Sequence, residues 1–164
     1  MEFLQVTLIL ATFLCSLVAG FLFAFSIVVM PGIKTLGNRE YIRAFQAIDG
    51  IIQNNQPVFM LVWPGSIITL IIATALGFGQ LDAAGRWLLV LSAVAYLSGV
   101  QLPTFTINVP LNNRLQSLTV DTMGETECEA ERKAFEGRWN HWNGIRTVVS
   151  CLVSLLLMFL LIRY

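Results

Sequence analysis

Long uncharged stretches alternate with short charged ones along this chain. No charged residue lies between Glu2 and Lys34, between Asp49 and Asp82, between Arg86 and Arg114, or between Arg146 and Arg163. A helix needs about 20 largely apolar residues to cross the hydrocarbon layer of a bilayer. The pattern predicts four spans, near residues 4–30, 57–77, 87–109 and 143–162. The first span is expected to be retained rather than cleaved. Glu2 is the only charge before it, so it lacks a basic n-region, and its apolar stretch exceeds the about 7–15 residues of a signal peptide.

Two connections interrupt this pattern, and they differ. In residues 38–53, Tyr41, Phe45, Ile48 and Ile52 recur at i, i+4, i+7 and i+11, making one apolar helical face. Gln46, Asp49 and Gln53 fall together on its flank. Such a helix either lies in the interface plane or covers the mouth of a bundle. Residues 114–138 are polar, with six acids against two bases from Asp121 to Glu136, and read as a solvated loop ending in a short helix. The expected fold class is all-α: a four-helix transmembrane bundle with an additional amphipathic interfacial helix between helices one and two, in one domain, 1–164.

Composition supports the bundle. The chain is 56% hydrophobic and only 12% charged, with a mean hydropathy of +0.73, where a soluble domain carries about 25% charged residues. Formal net charge is zero, so no basic footprint points to nucleic acid. Cys15 and Cys151 sit in apolar runs as small packing residues, and Cys128 lies in the acidic segment; this is neither a disulfide framework nor a zinc pattern. Lys and Arg concentrate in the connections between helices one and two and between three and four. Loops 31–56 and 110–142 are therefore expected to face the cytoplasm, with both termini opposite, in the cell membrane if the source is bacterial. Four-residue steps of small residues mark candidate packing faces: Ser16, Gly20 and Ala24; Ala73 and Gly77; Ala95 and Gly99; Ser150 and Ser154. Pro64 and Pro103 lie inside spans and are expected to kink them.

Polar residues within spans are expensive and point to function. Here they gather at one end. Gln101, Thr104 and Asn108 form a stripe at the end of helix three, with Asn112 and Asn113 just beyond. Asn54 and Asn55 precede helix two, and Trp139, His141, Trp142, Asn143 and Arg146 lead into helix four. Only 16 uncharged residues follow Arg146, so its helix must begin earlier and carry the guanidinium about one turn inside. Arg146 then either snorkels to the interface or faces inward to hold an acid or a ligand oxygen. At about 100° per residue, Trp139, Trp142, Asn143, Arg146 and Ser150 share one face, and the small residues that continue it favour the inward reading. Asp49 is the candidate counter-charge, as a structural partner of Arg146 or as a desolvated base for a ligand proton. His141 is the only histidine. It falls away from the Trp139–Arg146 face, and nothing near it suggests a metal centre.

Four segments together resemble a known family: GFLFAFSIVVMPGI at 20–33, FQAIDGIIQNNQPVFML at 45–61, NVPLNNRL at 108–115 and FEGRWNHWNGIRT at 135–147. In order and spacing they are similar to the DUF1772, or anthrone oxygenase-like, family of small four-helix membrane proteins. The resemblance implies oxidation of anthrones to anthraquinones with O2 and no cofactor, neither metal nor flavin. It places the family's polar motif positions on Gln46, Asn55, Asn108, Asn112, Trp139, Asn143 and Arg146. Where the family motif carries Asn after the FQAI stretch, this chain has Asp49 and so offers a carboxylate.

The resemblance implies an aromatic small-molecule substrate and O2 as partners, besides the lipid bilayer. Asp49, His141 and Arg146 are then the candidate catalytic residues. Gln46, Asn55, Asn108, Asn112, Trp139, Trp142 and Asn143 are the candidate substrate-binding ones. Asp49 or His141 would be the base, the Asn residues and Arg146 would hold oxygens, and Trp139 and Trp142 would stack on rings or anchor the membrane interface. The alternative is a non-catalytic membrane protein, an accessory subunit or a quinone- or lipid-binding module. A transporter fits less well, because four spans without an inverted repeat have little to alternate unless the protein oligomerises.

Overall fold

The computed structural model describes residues 3–164; Met1 and Glu2, the charge invoked before the first span, lie outside the described residues. Four helices are long and apolar enough to cross a membrane: α1 (Phe3–Lys34), α3 (Pro57–Gln80), α4 (Ala83–Gln116) and α5 (Glu125–Arg163). A shorter helix, α2 (Asn38–Gln53), lies between the first two. The protein is thus an all-α, membrane-embedded bundle with one added amphipathic helix.

Each turn has a local cause. Asp82 caps α4 by accepting the Gly85 N–H at 2.7 Å. Gln56 caps α3, accepting the Phe59 N–H at 2.6 Å, and Pro57 occupies the first turn, where its missing N–H costs nothing. Between α2 and α3 the chain reverses through Asn55, the one described non-glycine residue with positive φ, 59°. Asparagine tolerates that left-handed conformation better than most residues.

The bundle core runs through Leu4, Leu8, Ala11, Cys15, Val18 and Leu22 of α1, Leu70 and Ala73 of α3, Leu89 and Tyr96 of α4, and Val153, Leu157 and Leu160 of α5. Lipid supplies no hydrophobic drive between helices, so close approach matters. Three of the expected small-residue steps are used. A Cβ on Gly77 would lie 2.7 Å from Leu89, and one on Gly99 would lie 2.9 Å from Val149. Ser150 and Ser154 are buried. The step on α1 is not used as expected. Gly20 is exposed with no neighbour near its missing side chain. The close-packed stripe of α1 is Ala11, Cys15 and Ala19 instead. Apolar residues surround this helix on every side, so two small-residue phases competed and periodicity alone could not choose between them.

The polar stretch 114–138 is not the loop expected. α4 continues to Gln116, a short 3₁₀ turn spans Val120–Thr122, and α5 starts at Glu125 and runs 39 residues without interruption. Cys128, Phe135 and Trp139 stand at i, i+7 and i+11, a narrow apolar stripe hidden among charges. α2 covers that stripe. Tyr41, Ile42 and Phe45 are at most 1% exposed and form a second core with Phe25, Leu115, Cys128, Phe135 and Trp139. Of the two places foreseen for α2, it takes the mouth of the bundle. Outside the hydrocarbon the hydrophobic effect does act, and burying a side chain such as Ile42 or Phe45 contributes about 1.5–3 kcal/mol. Polar ties finish the cap. Arg114 grips Glu131 with two nitrogens at 2.8 and 2.9 Å, and Arg132 bonds Glu136, the Lys34 and Leu36 carbonyls, and the Tyr41 ring face.

Two membrane helices contain wide π-turns: Phe25–Val29 in α1, and Leu97–Gln101 and Thr104–Asn108 in α4. Each ends two residues before a proline, Pro31, Pro103 and Pro110 respectively. A proline ring clashes with the carbonyl four residues back and donates no hydrogen bond to it. Here those carbonyls belong to Ile27, Gly99 and Thr106, each inside a π-turn. The widened turn takes up the clash. It also rotates the helix beyond the turn relative to the part before it, and Thr104, Asn108 and Asn112, in or just past such turns, line the site.

Candidate functional site

At the capped end, α1, α2, α3, α4 and α5 enclose a cavity of about 420 Å³. That lies in the usual range of small-molecule sites. Its walls are mostly apolar and carry seven aromatic rings: Phe21 and Phe25 from α1, Phe45 from α2, Phe59 and Trp63 from α3, Phe105 from α4, and Trp139 from α5. Trp139 sits at the centre of this shell, with ring centroids 5.7 Å from both Phe25 and Phe45. The polar lining is small and comes from three helices: Asp49 and Gln53 of α2; Thr104, Asn108, Asn112 and Asn113 of α4; Asn143 and Arg146 of α5.

Arg146 is 4% exposed and forms no ion pair among the described residues. Its Nη1 donates to Thr104 Oγ1 at 2.9 Å, and its Nη2 donates to Asn143 Oδ1 at 2.9 Å. Its Nε has no partner among the described residues. The guanidinium lies 5.8 Å from the Trp139 ring, within cation–π range. Asn143 carries the network on, donating to Ser26 Oγ at 2.8 Å and the Leu22 carbonyl at 3.2 Å, and Ser26 meets Thr147 at 3.0 Å. One chain of polar contacts thus ties α4, α5 and α1 and fixes the guanidinium.

Asp49 does not pair with Arg146, although both line the cavity. It is 4% exposed and is held by amides instead. Asn112 donates to Oδ1 at 2.7 Å, while Gln53 at 2.7 Å and Gln116 at 3.1 Å donate to Oδ2. A carboxylate oxygen accepts about two hydrogen bonds. Oδ2 is therefore filled, and Oδ1 keeps one acceptor position free. Asn112 in turn accepts the Trp139 indole N–H at 2.7 Å, which links the carboxylate to the central ring of the shell. Asn108 donates to the Trp139 carbonyl at 3.3 Å, and its buried Oδ1 has no partner among the described residues. The residues lining the cavity thus include a cation with an unpartnered, buried N–H, a carboxylate with a free acceptor position and an amide with an unpartnered, buried oxygen.

The family model described as Anthrone oxygenase matches residues 58–156. The chain belongs to the anthrone oxygenase family. The matched stretch covers most of α3, all of α4 and most of α5, and so carries Trp63, Thr104, Asn108, Asn112, Trp139, Asn143 and Arg146 of this family member's cavity. Asp49 and the phenylalanines of α1 and α2 lie before it. No curated protein and no solved structure matches the chain.

Of the ten residues singled out from the sequence, the cavity brings together Asp49, Asn108, Asn112, Trp139, Asn143 and Arg146. The other four stand apart. His141 is exposed, with its ring against Trp142. Trp142 is half-buried and does not line the cavity. Asn55 is exposed in the turn between α2 and α3. Gln46 clasps the end of α4, donating to the Leu115 and Leu118 carbonyls at 2.8 and 3.0 Å.

Trp63 and the ring of phenylalanines were not singled out, because aromatic residues on membrane helices usually meet lipid. One signal was available for Trp63. Its indole N–H needs a buried acceptor, and Gln101 on the polar stripe supplies one at 2.9 Å. Outside the spans, burial beneath Glu136 pushes the Tyr41 phenol up. At the far end of the bundle, hydrogen bonds from Tyr164 and Gly85, with Arg163 beside them, hold the Asp82 carboxyl below the usual carboxylate range.

Proposed function

We propose that this family member oxidises a flat phenolic, anthrone-like compound with O2 in the cavity at the α2-capped end, taken as the cytoplasmic one. The observation that carries the proposal is the buried Arg146 guanidinium. It has no carboxylate partner among the described residues and keeps a free N–H within an aromatic shell. A buried cation is costly unless something anionic meets it. A ligand oxygen that gains negative charge during reaction would supply that partner, and preorganised donors stabilise it best where water is excluded.

The chemistry follows from the substrate class. Loss of a proton from the methylene carbon of an anthrone gives an enolate whose charge rests largely on the former carbonyl oxygen. That anion is electron-rich enough to reduce O2 directly. The carbon gains one oxygen atom as a carbonyl and gives up its two hydrogens; the second oxygen atom leaves as water. Arg146 and Asn143 hold the enolate oxygen, Asn108 accepts a phenolic hydroxyl, and Asp49 receives the proton through the free position on Oδ1. Trp139, Phe25 and Phe45 pack against the rings. His141 is too far outside the cavity to be preferred as the base.

The test is direct. Purified protein in lipid nanodiscs is mixed with anthrone under air, and anthraquinone is followed by absorbance. Formation well above the spontaneous rate supports the reading. Folded protein that gives only the spontaneous rate refutes it for this substrate class. Anthraquinone binding without turnover would instead support the non-catalytic, quinone-binding alternative.

A further inference from the structure

The cavity has two kinds of boundary. Toward the aqueous end it is polar and tied. Asn112, Gln53 and Gln116 converge on Asp49, Gln53 also donates to Asn113 at 3.2 Å, and Gln116 donates to the Gln46 carbonyl at 2.9 Å. These bonds latch α2 onto α4. Along the side the boundary is apolar and open. α3 packs against the 83–96 part of α4, and the two helices part beyond it. Met60, Phe105 and Val109 line the cavity there and are 41%, 59% and 36% exposed. Trp63 to Gln101 is the only side-chain hydrogen bond joining α3 to residues 97–116 among the described residues.

We propose that the cavity is filled sideways, from the bilayer, through the gap between α3 and α4, by an apolar molecule dissolved in the lipid. Entry from water would mean opening the latch and taking from a buried carboxylate the Asn112 and Gln116 donors, leaving it only Gln53 of its own helix, which is costly. Entry from the side moves only apolar side chains against an apolar solvent. The bilayer also concentrates the kind of molecule that the aromatic shell accepts.

A second recess of about 810 Å³ lies on the other flank of α3, lined by Leu17, Ile48, Ile51, Val58 and Val62 among others. It shares Phe21, Ile52, Phe59 and Trp63 with the cavity. The three rings pack at 5.5, 5.2 and 6.3 Å centroid spacings as a partition shared by the two spaces, and the recess is not assigned as the route. The proposal concerns access, and it stands whether or not the bound molecule is oxidised.

The test uses the full chain in phosphatidylcholine vesicles, with Trp63→Phe, Trp87→Phe and Trp142→Phe so that emission comes from Trp139, which lines the cavity and not the second recess. Two contact quenchers are compared, acrylamide in the water and a brominated alkane in the bilayer. The alkane should quench strongly and acrylamide several-fold less. Plugging the gap with Met60→Phe and Val109→Phe should cut alkane quenching at least threefold. Plugging the second recess with Ile51→Phe and Val58→Phe should not, and neither should Leu61→Phe, a lipid-exposed control. Equal quenching by acrylamide overturns the proposal. So does a gap plug without effect, or a recess plug that blocks where the gap plug does not.

Discussion

Replacing Arg146 with Met separates the two things a buried charge can do, hold the fold or hold a ligand. Methionine keeps most of the side-chain volume and needs no partner. Two hydrogen bonds are lost, to Thr104 and Asn143. Thr104 still donates to the Val100 carbonyl at 2.6 Å, and Asn143 still donates to Ser26 and Leu22. Only Asn143 Oδ1 is stranded, at a cost of about 1–3 kcal/mol. Against that, a buried guanidinium with a free Nε is itself destabilising, and apolar replacements of buried charges are often neutral or stabilising by about 1–4 kcal/mol. The terms oppose each other, so Arg146→Met should keep its unfolding midpoint within a few degrees of the parent.

Activity should behave differently. Removing one preorganised donor to a developing oxyanion costs about 10²–10³ in kcat, and the charge of Arg146 puts it at the upper end. The assay is anthrone oxidation in nanodiscs with the spontaneous rate subtracted, beside anthraquinone affinity and a thermal melt on the same preparation. Arg146→Lys should recover part of the loss, because it keeps the charge but not the fixed fork. Two results refute the reasoning. One is Arg146→Met within tenfold of the parent in both turnover and anthraquinone affinity. The other is a variant that fails to fold while Arg146→Lys folds normally, which would make the cation a structural part.

Three further substitutions test the remaining assignments. His141→Ala should leave turnover within twofold and stability within about 0.5 kcal/mol, as for an ordinary surface change; a large loss of activity would bring the histidine back as base. Asp49→Asn should lower turnover by about 10²–10⁴ if the carboxylate takes the proton, and a melt should show a destabilisation of about 1–3 kcal/mol, because the new amide turns an N–H₂ toward donors that had a carboxylate. Asp82 offers a pH test at the other end of the molecule. Its carboxyl is held below its ordinary 3.8 by Tyr164 first, then Gly85 and Arg163. Its contribution is therefore complete above that value and fades as pH falls through the lowered one. Melts of the parent and Asp82→Asn between pH 6 and 3 should show the parent's advantage above pH 4 shrinking below it; a constant difference would contradict the assignment.

The architecture was legible because a membrane makes two demands that leave marks in a sequence. Spans must be uncharged, and the gaps between charges located all four. Amphipathic spacing located α2 to the residue. The extension of α5 was not legible, because a stripe as narrow as Cys128, Phe135 and Trp139 only becomes a packing face when α2 lies over it. The small-residue face of α1 failed for the opposite reason: too many phases satisfied the rule.

The site shows where sequence spacing reaches its limit. Helical phase grouped Trp139, Trp142, Asn143 and Arg146 and separated His141 from them; Trp139, Asn143 and Arg146 line the cavity, while Trp142 and His141 do not. Phase also grouped Gln101, Thr104 and Asn108 on one stripe, yet only Thr104 and Asn108 line the cavity, while Gln101 turns to Trp63. Two π-turns separate the ideal helix from the real one here, at Leu97–Gln101 and Thr104–Asn108. Each adds a residue to its turn and so shifts the residues beyond it around the axis by about 100°. The prolines that impose these turns are visible in the sequence, but their consequence is a rotation that ideal periodicity leaves out. Pro110→Ala measures that rotation. Restoring an N–H and removing the ring clash should let residues 104–110 tighten toward an α-helix, with stability unchanged or raised. Asn108 and Asn112 would then turn relative to Trp139 and Asp49, and turnover and anthraquinone affinity should fall together by at least tenfold. A variant that is more stable and equally active would show that the wide turn relieves the clash without positioning the site.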